Sequence, residues 1–322
     1  MIIAKYREVW YKQKKYFINY AIIAVMEKIK QLAIIGATAS GKSGASIEIA
    51  SRLDGYILSL DSLSIYKEID IASAKPTLEE RQGIPHFGID VLYPDQAFDV
   101  TEFIALYQEA YAKAQEDNKP LVIVGGSSFY LKVLIEGISV LPTISQESKD
   151  KTQEGLNNLK DSYDMLYALD PEYMGSIASN DRYRIEKALD IYHETGFAPS
   201  AYFAQNRPQP IIQGKLPIYS IATNRAVLRE RIKLRTHQMV KQGIIDEVCY
   251  LEKKYTHSPN PMKSIGIKET LDYLNGRYNK EILIEKIITN TARLAKRQTT
   301  FNNSQFADKV VVSLEEIYKI EV

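Results

Sequence analysis

The sequence predicts an α/β fold: a P-loop, doubly wound parallel sheet core with an inserted, mostly helical domain. Three observations carry that reading. Short apolar runs at residues 31–35, 56–60 and 121–124 lack alternation and suit strands buried on both faces. Helix-spaced segments lie between them, the order that parallel crossovers require. From about Thr143 to Gln213 the strand signal lapses, and it returns at 218–222 and 309–313. The expected organisation is an N-terminal extension at 1–30, core at 31–142, a helical insertion at 143–213 and core again at 214–322.

Taken in order, the first 30 residues hold 7 Lys and Arg against 2 Asp and Glu. Lys5, Arg7, Lys12, Lys14 and Lys15 precede the apolar residues 17–26, a faint likeness to a signal peptide. No small-residue cleavage site follows, and the first core strand begins within a few residues. An extension is the better reading, with Met26 as a second plausible start.

The strand at 31–35 runs into Gly36-Ala37-Thr38-Ala39-Ser40-Gly41-Lys42-Ser43, which satisfies G-x-x-x-x-G-K-[ST] at every required position. Helical spacing follows at Ile47, Ile49, Ala50 and Leu53. Such a loop wraps phosphate oxygens with backbone N–H groups, and the helix N-terminus adds positive potential. Lys42 contributes a point charge, and the Ser43 hydroxyl is placed for Mg²⁺. A phosphate-bearing ligand is implied, but not which one.

The second strand ends at Asp61-Ser62, and the third at Gly125-Gly126-Ser127-Ser128 with a helix opening near Phe129. A carboxylate at the C-terminal end of such a strand faces the ligand crevice, where it serves equally as a base or as a Mg²⁺ or water ligand. Helices are expected at 102–116, 153–169 and 182–195. Arg231 and Arg235 lie four apart on a further helix, hence on one face. His86, His193, His237 and His257 lack metal-ligand spacing and read as structural; Cys249 reads as core.

Composition excludes several classes. At 45% hydrophobic and 25% charged the chain is neither disordered nor fibrous. No apolar run approaches the ~20 residues of a membrane helix. A single cysteine rules out an internal disulfide and points to a reduced, cytoplasmic setting. The net charge of +1 conceals a basic block: residues 225–300 carry 16 Lys and Arg against 8 Asp and Glu. Such a face suits a polyanion, and equally a solvated helical surface.

The motifs GATASGKS, DSLSIYKEIDIASAKPT, PHFGIDVLYPDQAFDVTEF, IVGGSSFYLKVLIEG, RIKLRTHQM and TARLAKRQTTF, in this order, resemble the tRNA dimethylallyltransferases over roughly residues 31–301. The resemblance implies transfer of the five-carbon group of dimethylallyl diphosphate to N6 of the adenosine 3′ of the anticodon, with release of diphosphate. It implies Asp61 as base, Ser127 and Arg235 as further catalytic residues, and Gly36 to Ser43 with Arg231 as the diphosphate or nucleotide site. Mg²⁺ at Ser43 is the implied cofactor. Contacts to the tRNA anticodon stem-loop are implied at Asp61, Ser62, Leu63 and Ser64, at Ser127 and Lys149, and at Tyr183, Arg184, Ile185, Glu186 and Lys187. A last set is Lys263, Ser264, Ile265, Gly266, Ile267 and Lys268. Arg293, Lys296 and Arg297 extend the basic surface. Three positions depart from the family's habit: Ser127 stands where threonine is common, Ala37 where proline is usual, and Ile267 where an aromatic is usual. No membrane partner is expected, and the enzyme is read as a monomer.

Two other functions suit parts of the sequence. A P-loop kinase of a small molecule or nucleotide would use Lys42 and mobile arginines on ATP, yet has no need of the basic block. A non-catalytic RNA-binding module has no need of the phosphate loop.

Overall fold

A computed structural model describes residues 30–320. The expected extension at 1–30, with Met26 as a second start, falls outside the described residues apart from Lys30. The chain divides into two compact units, one running to Tyr130 and resuming at Leu216, the other spanning Leu131–Lys215.

Strand β1 (Gln31–Gly36) leads through the phosphate loop into α1 (Lys42–Leu53), and β2 (Tyr56–Ser59) follows. A long connection carries the two-residue β3 (His86–Phe87) before α2 (Val100–Glu116), β4 (Leu121–Gly125) and α3 (Ser128–Glu136). The second unit holds α4 (Gln146–Gly155), α5 (Leu159–Leu169), α6 (Pro171–Met174), α7 (Arg182–Thr195) and α8 (Pro199–Gln205). The chain then returns through β5 (Ile218–Ile221), α9 (Arg225–Gln242), α10 (Ile244–Tyr255), α11 (Ile267–Leu274), α12 (Lys280–Gln305), β6 (Val310–Val312) and α13 (Leu314–Ile317).

The six strands form one parallel sheet in the order β3-β2-β4-β1-β5-β6. From β1 the chain crosses to β2 and only later returns to lay β4 between them, so a crevice opens beyond the carboxyl ends of β1 and β4. Pairing of Ile35 with Gly125 brings both strands to that edge level. Alternate residues Leu32, Ile34, Ile57, Val122 and Val124 pack with Ala45, Ile47, Ile49 and Ala50 of α1. Helices α2 and α12 cover the opposite face. Each buried Leu, Ile or Val among them contributes about 1.5–3 kcal/mol, which fixes the sheet against α1.

The sequence expectations differ from the structure locally. Strand β3 was not expected, because two residues are too few to show a period. The helix expected at 153–169 is two: α4 ends at Gly155, a 3₁₀ turn covers Leu156–Asn158, and the Asn158 side chain accepts from the Asp161 N–H to start α5. Helix α2 begins two residues before the expected start because Asp99 accepts from the Thr101 and Glu102 N–H groups. Helix α7 runs from the Asp181 cap to Gly196, whose φ of 72° closes it in the left-handed region. The core of the second unit is Leu156, Leu166, Met174, Ile177, Ile185, Ala188 and Leu189. Cys249 is only half-buried.

Candidate active site

The phosphate loop joins β1 to α1 and is held by packing on both flanks. Ala37 clusters with Ile232 of α9 and Ala295 of α12, with Ala39, Leu228 and Ala292 packed around them. The small side chain at position 37 is therefore accommodated. Gly41 caps α1 at φ 96°, where a side chain would be strained and its Cβ would lie 3.0 Å from Leu314. Lys42 Nζ donates to the Ala37 carbonyl at 3.2 Å. Burial lowers the Lys42 pKa to about 8, against the opposing pull of Asp61 and reinforced by Arg235.

Asp61 stands just past β2. Its Oδ1 accepts the N–H groups of Leu63 at 2.9 Å and Ser64 at 3.2 Å. This local turn fixes the carboxylate and commits one oxygen to the backbone, leaving Oδ2 for other chemistry. Ser127 reaches the same loop from β4: its Oγ accepts from the Ser62 N–H at 3.3 Å, and its own N–H donates to the Leu60 carbonyl at 3.1 Å. The close approach explains the paired glycines. A Cβ on Gly125 would fall 2.6 Å from Leu60 Cβ, and one on Gly126 would fall 2.3 Å from Gln298 Nε2.

Helix α9 supplies the arginines. Arg231 donates to the Ala39 and Ser40 carbonyls at 3.4 and 3.2 Å, and Arg235 to the Ser73 carbonyl at 3.5 Å. Burial lowers the Arg235 pKa and the nearby Asp61 charge opposes that shift, so the guanidinium and carboxylate stabilise each other. Lys42, Ser43 and Arg235 line both an open cleft of about 1450 Å³ and a smaller cavity of about 70 Å³. Asp61 lines the smaller one with them. His86, expected to be structural, also lines it; burial lowers its pKa, and Nδ1 is tied to the Ile84 carbonyl at 2.7 Å.

These residues suit a Mg²⁺–diphosphate pair. Among the described residues no group of three or more His, Cys, Asp or Glu could chelate a metal alone. Ser43, exposed to both cavities, offers one hard oxygen. Mg²⁺ favours few protein ligands completed by substrate phosphates and water, and a lone hydroxyl beside a lysine fits that habit.

The residues expected to meet RNA fall into two classes. Tyr183 is 70% exposed on α7, with Lys187 Nζ 5.9 Å from its ring. Arg184, Lys149, Lys263 and Lys268 are exposed, as are Arg293, Lys296 and Arg297. Ile185 and Ile267 are each fully buried in a hydrophobic cluster, so neither side chain faces solvent. Helical periodicity turns both inward. Ser64 is likewise buried, and Leu63, Ser264, Ile265 and Glu186 are half-buried.

Three supporting side chains were not foreseen. Glu247 accepts the N–H groups of Asp70, Ile71 and Ala72 at 2.7–2.9 Å, pinning the connection after Asp61. Buried Glu269 accepts from the Gly266 N–H at 2.7 Å and from Asn290 at 2.6 Å, fixing the turn between Lys263 and Lys268. Gln298 bridges the phosphate loop and β4: Oε1 accepts from the Thr38 N–H at 2.8 Å, and Nε2 donates to the Gly126 carbonyl at 3.1 Å.

Comparison with known proteins places this geometry in context. The family model for IPP transferase matches residues 64–305. A tRNA dimethylallyltransferase of Sulfurovum sp. (strain NBC37-1) is 60% identical over 294 residues, 91% of this chain and 98% of that one. One of Sulfurimonas denitrificans is 56% identical, with 86% and 93% covered. A tRNA isopentenylpyrophosphate transferase structure from Bacillus halodurans superposes with a TM-score of 0.67 at 30% identity, covering 91% and 94%. A eukaryotic dimethylallyltransferase acting on tRNA shares the fold at a TM-score of 0.79 and 24% identity, covering 88% and 74%.

Proposed function

The chain belongs to the tRNA dimethylallyltransferase family, and from that premise we propose that it transfers the dimethylallyl group of dimethylallyl diphosphate to N6 of the adenosine 3′ of the anticodon, releasing diphosphate. The observation that carries this reading is that Asp61, Lys42 and Arg235 line one cavity. A proton acceptor and a cationic diphosphate cradle thus face a common space.

The chemistry divides among these residues. The loop amides, Lys42 and Arg235 bind the diphosphate and stabilise the charge that grows on it as the allylic C1–O bond breaks. The adenine N6 forms the new bond to C1 and gives up a proton, which Asp61 Oδ2 accepts. Ser127, bonded to Leu60 and Ser62 on either side of Asp61, holds that carboxylate in position. Mg²⁺ held through Ser43 would add charge neutralisation on the leaving diphosphate. The target base must leave its loop to reach the cavity, as in other base-modifying enzymes.

Incubation with dimethylallyl diphosphate, Mg²⁺ and unmodified tRNA is expected to give a five-carbon mass gain on one adenosine, read by nucleoside mass spectrometry. ATP turnover without that gain would instead support the kinase.

For RNA, exposed Tyr183 supports base or sugar stacking, and Lys149, Arg184, Lys263 and Lys268 support phosphate contacts. Lys263→Ala is expected to weaken tRNA binding and to reduce the slope of log affinity against log salt by about 0.7–0.9. Titrations at several salt concentrations measure this, and an unchanged slope removes Lys263 from the interface.

A further inference from the structure

We propose that Gln298 is a positioning residue whose side-chain amide sets the spacing between the diphosphate cradle and the edge that carries Asp61 and Ser127. The inference rests on the function proposed above.

The amide joins two segments far apart in the chain. Its Oε1 accepts from the Thr38 N–H at 2.8 Å and its Nε2 donates to the Gly126 carbonyl at 3.1 Å. Those partners also settle which way the amide faces, since a backbone N–H only donates and a carbonyl only accepts. Thr38 lies in the loop that bends around phosphate. Gly126 directly precedes Ser127, whose N–H holds the Leu60 carbonyl and whose Oγ holds the Ser62 N–H. Leu60 and Ser62 flank Asp61. One side chain therefore closes a continuous set of bonds running from the phosphate loop, through Gln298 and β4, to both neighbours of the acid.

Gly126 shows how closely the clamp is built. A Cβ there would sit 2.3 Å from Nε2, so any side chain at 126 must displace the amide. Helix α12, which carries Gln298, also packs Ala295 against Ala37 on the loop's flank, so the clamp stands on a fixed support. Without the amide, the loop and the β4 edge keep their own packing but lose the link that fixes their separation. Misplacement of reacting groups by about 1 Å is enough to cost roughly 10²-fold in rate.

The test uses the full chain with dimethylallyl diphosphate, Mg²⁺ and unmodified tRNA. Gln298→Met, close in length and unable to form either bond, is expected to lower kcat by about 10–100-fold with the KM for tRNA changed less than about threefold. Gly126→Ala attacks the clamp from its other end and should reproduce that split. Gln298→Glu adds a readout that a loss of packing would not move. Its ionised carboxylate can accept from the Thr38 N–H but repels the Gly126 carbonyl, whereas the protonated acid restores a donor. The ratio of its kcat to that of the native enzyme should therefore rise as pH falls.

A native-like kcat in Gln298→Met overturns the proposal, and so does a pH-independent ratio in Gln298→Glu. A tRNA KM that worsens in step with kcat does the same. If the native chain transfers no dimethylallyl group, it is the assigned function that fails and not the clamp.

Discussion

Asp61→Asn is expected to slow dimethylallyl transfer by about 10²–10⁴-fold while tRNA binds with unchanged affinity. Asparagine keeps an acceptor oxygen where Oδ1 receives the Leu63 and Ser64 N–H groups, so the turn after β2 survives. What disappears is the oxygen able to take the N6 proton. Single-turnover rates with prebound tRNA isolate that step, and binding titrations report the rest. A collapse of tRNA affinity with a native-like single-turnover rate at saturating tRNA would confine Asp61 to binding and remove the base from the mechanism.

The second large effect belongs to Lys42. Lys42→Met is expected to lower transfer by about 10²–10³-fold, as loss of one donor to a developing anion does. It should also carry a signature in pH. Burial brings the Lys42 pKa down to about 8, so the free enzyme holds its proton below that value and releases it above. A bound diphosphate favours the charged ammonium. Diphosphate affinity should therefore decline as pH rises through about 8, with binding drawing a proton from solution on the alkaline side. Calorimetry in buffers of different ionisation heat measures that uptake, and the substitution should abolish it. The sign for folding is opposite. A lysine whose pKa falls on folding opposes the native state below about 8, and that opposition relaxes between about 8 and 10.5, where the unfolded chain still binds the proton. Lys42→Met should thus raise the melting temperature at neutral pH while disabling the enzyme, the trade expected where function holds a charge in an unfavourable place.

Legibility in the sequence followed the range over which each interaction acts. The phosphate loop was readable because eight consecutive residues carry the whole device. Helix α7 was readable because Asp181 and Gly196 stop it at either end within a few positions. Strands β1, β2 and β4 are apolar enough to stand out individually. Strand β3 was invisible since its pairing with Ile57 and Leu58 is made by the fold and not by its two residues. The single helix expected across 153–169 fails at the 3₁₀ turn after Gly155, where the apolar spacing continues although the backbone does not. Within the site, Asp61 and the arginines were marked by motif, but Ile185 and Ile267 show that a motif names a segment without saying which side chains turn outward. Glu247 gave no signal, and Gln298 stood inside the TARLAKRQTTF motif with nothing to mark its role. Their partners lie 172 to 260 residues away for Gln298 and 175 to 177 away for Glu247, beyond anything local spacing encodes.

The turn held by Glu269 bears on how RNA is met. Because that buried carboxylate already satisfies the Gly266 N–H and is itself held by Asn290, the short bend carrying Lys263 and Lys268 is rigid before any ligand arrives. Under the proposed RNA contact, a phosphodiester meeting Lys263 and Lys268 would order only the two lysine tails and no backbone, so little entropy would be lost. Charges presented in this way act mainly on the speed of encounter, and their contribution should be read in association rates at low ionic strength more than in the lifetime of the complex.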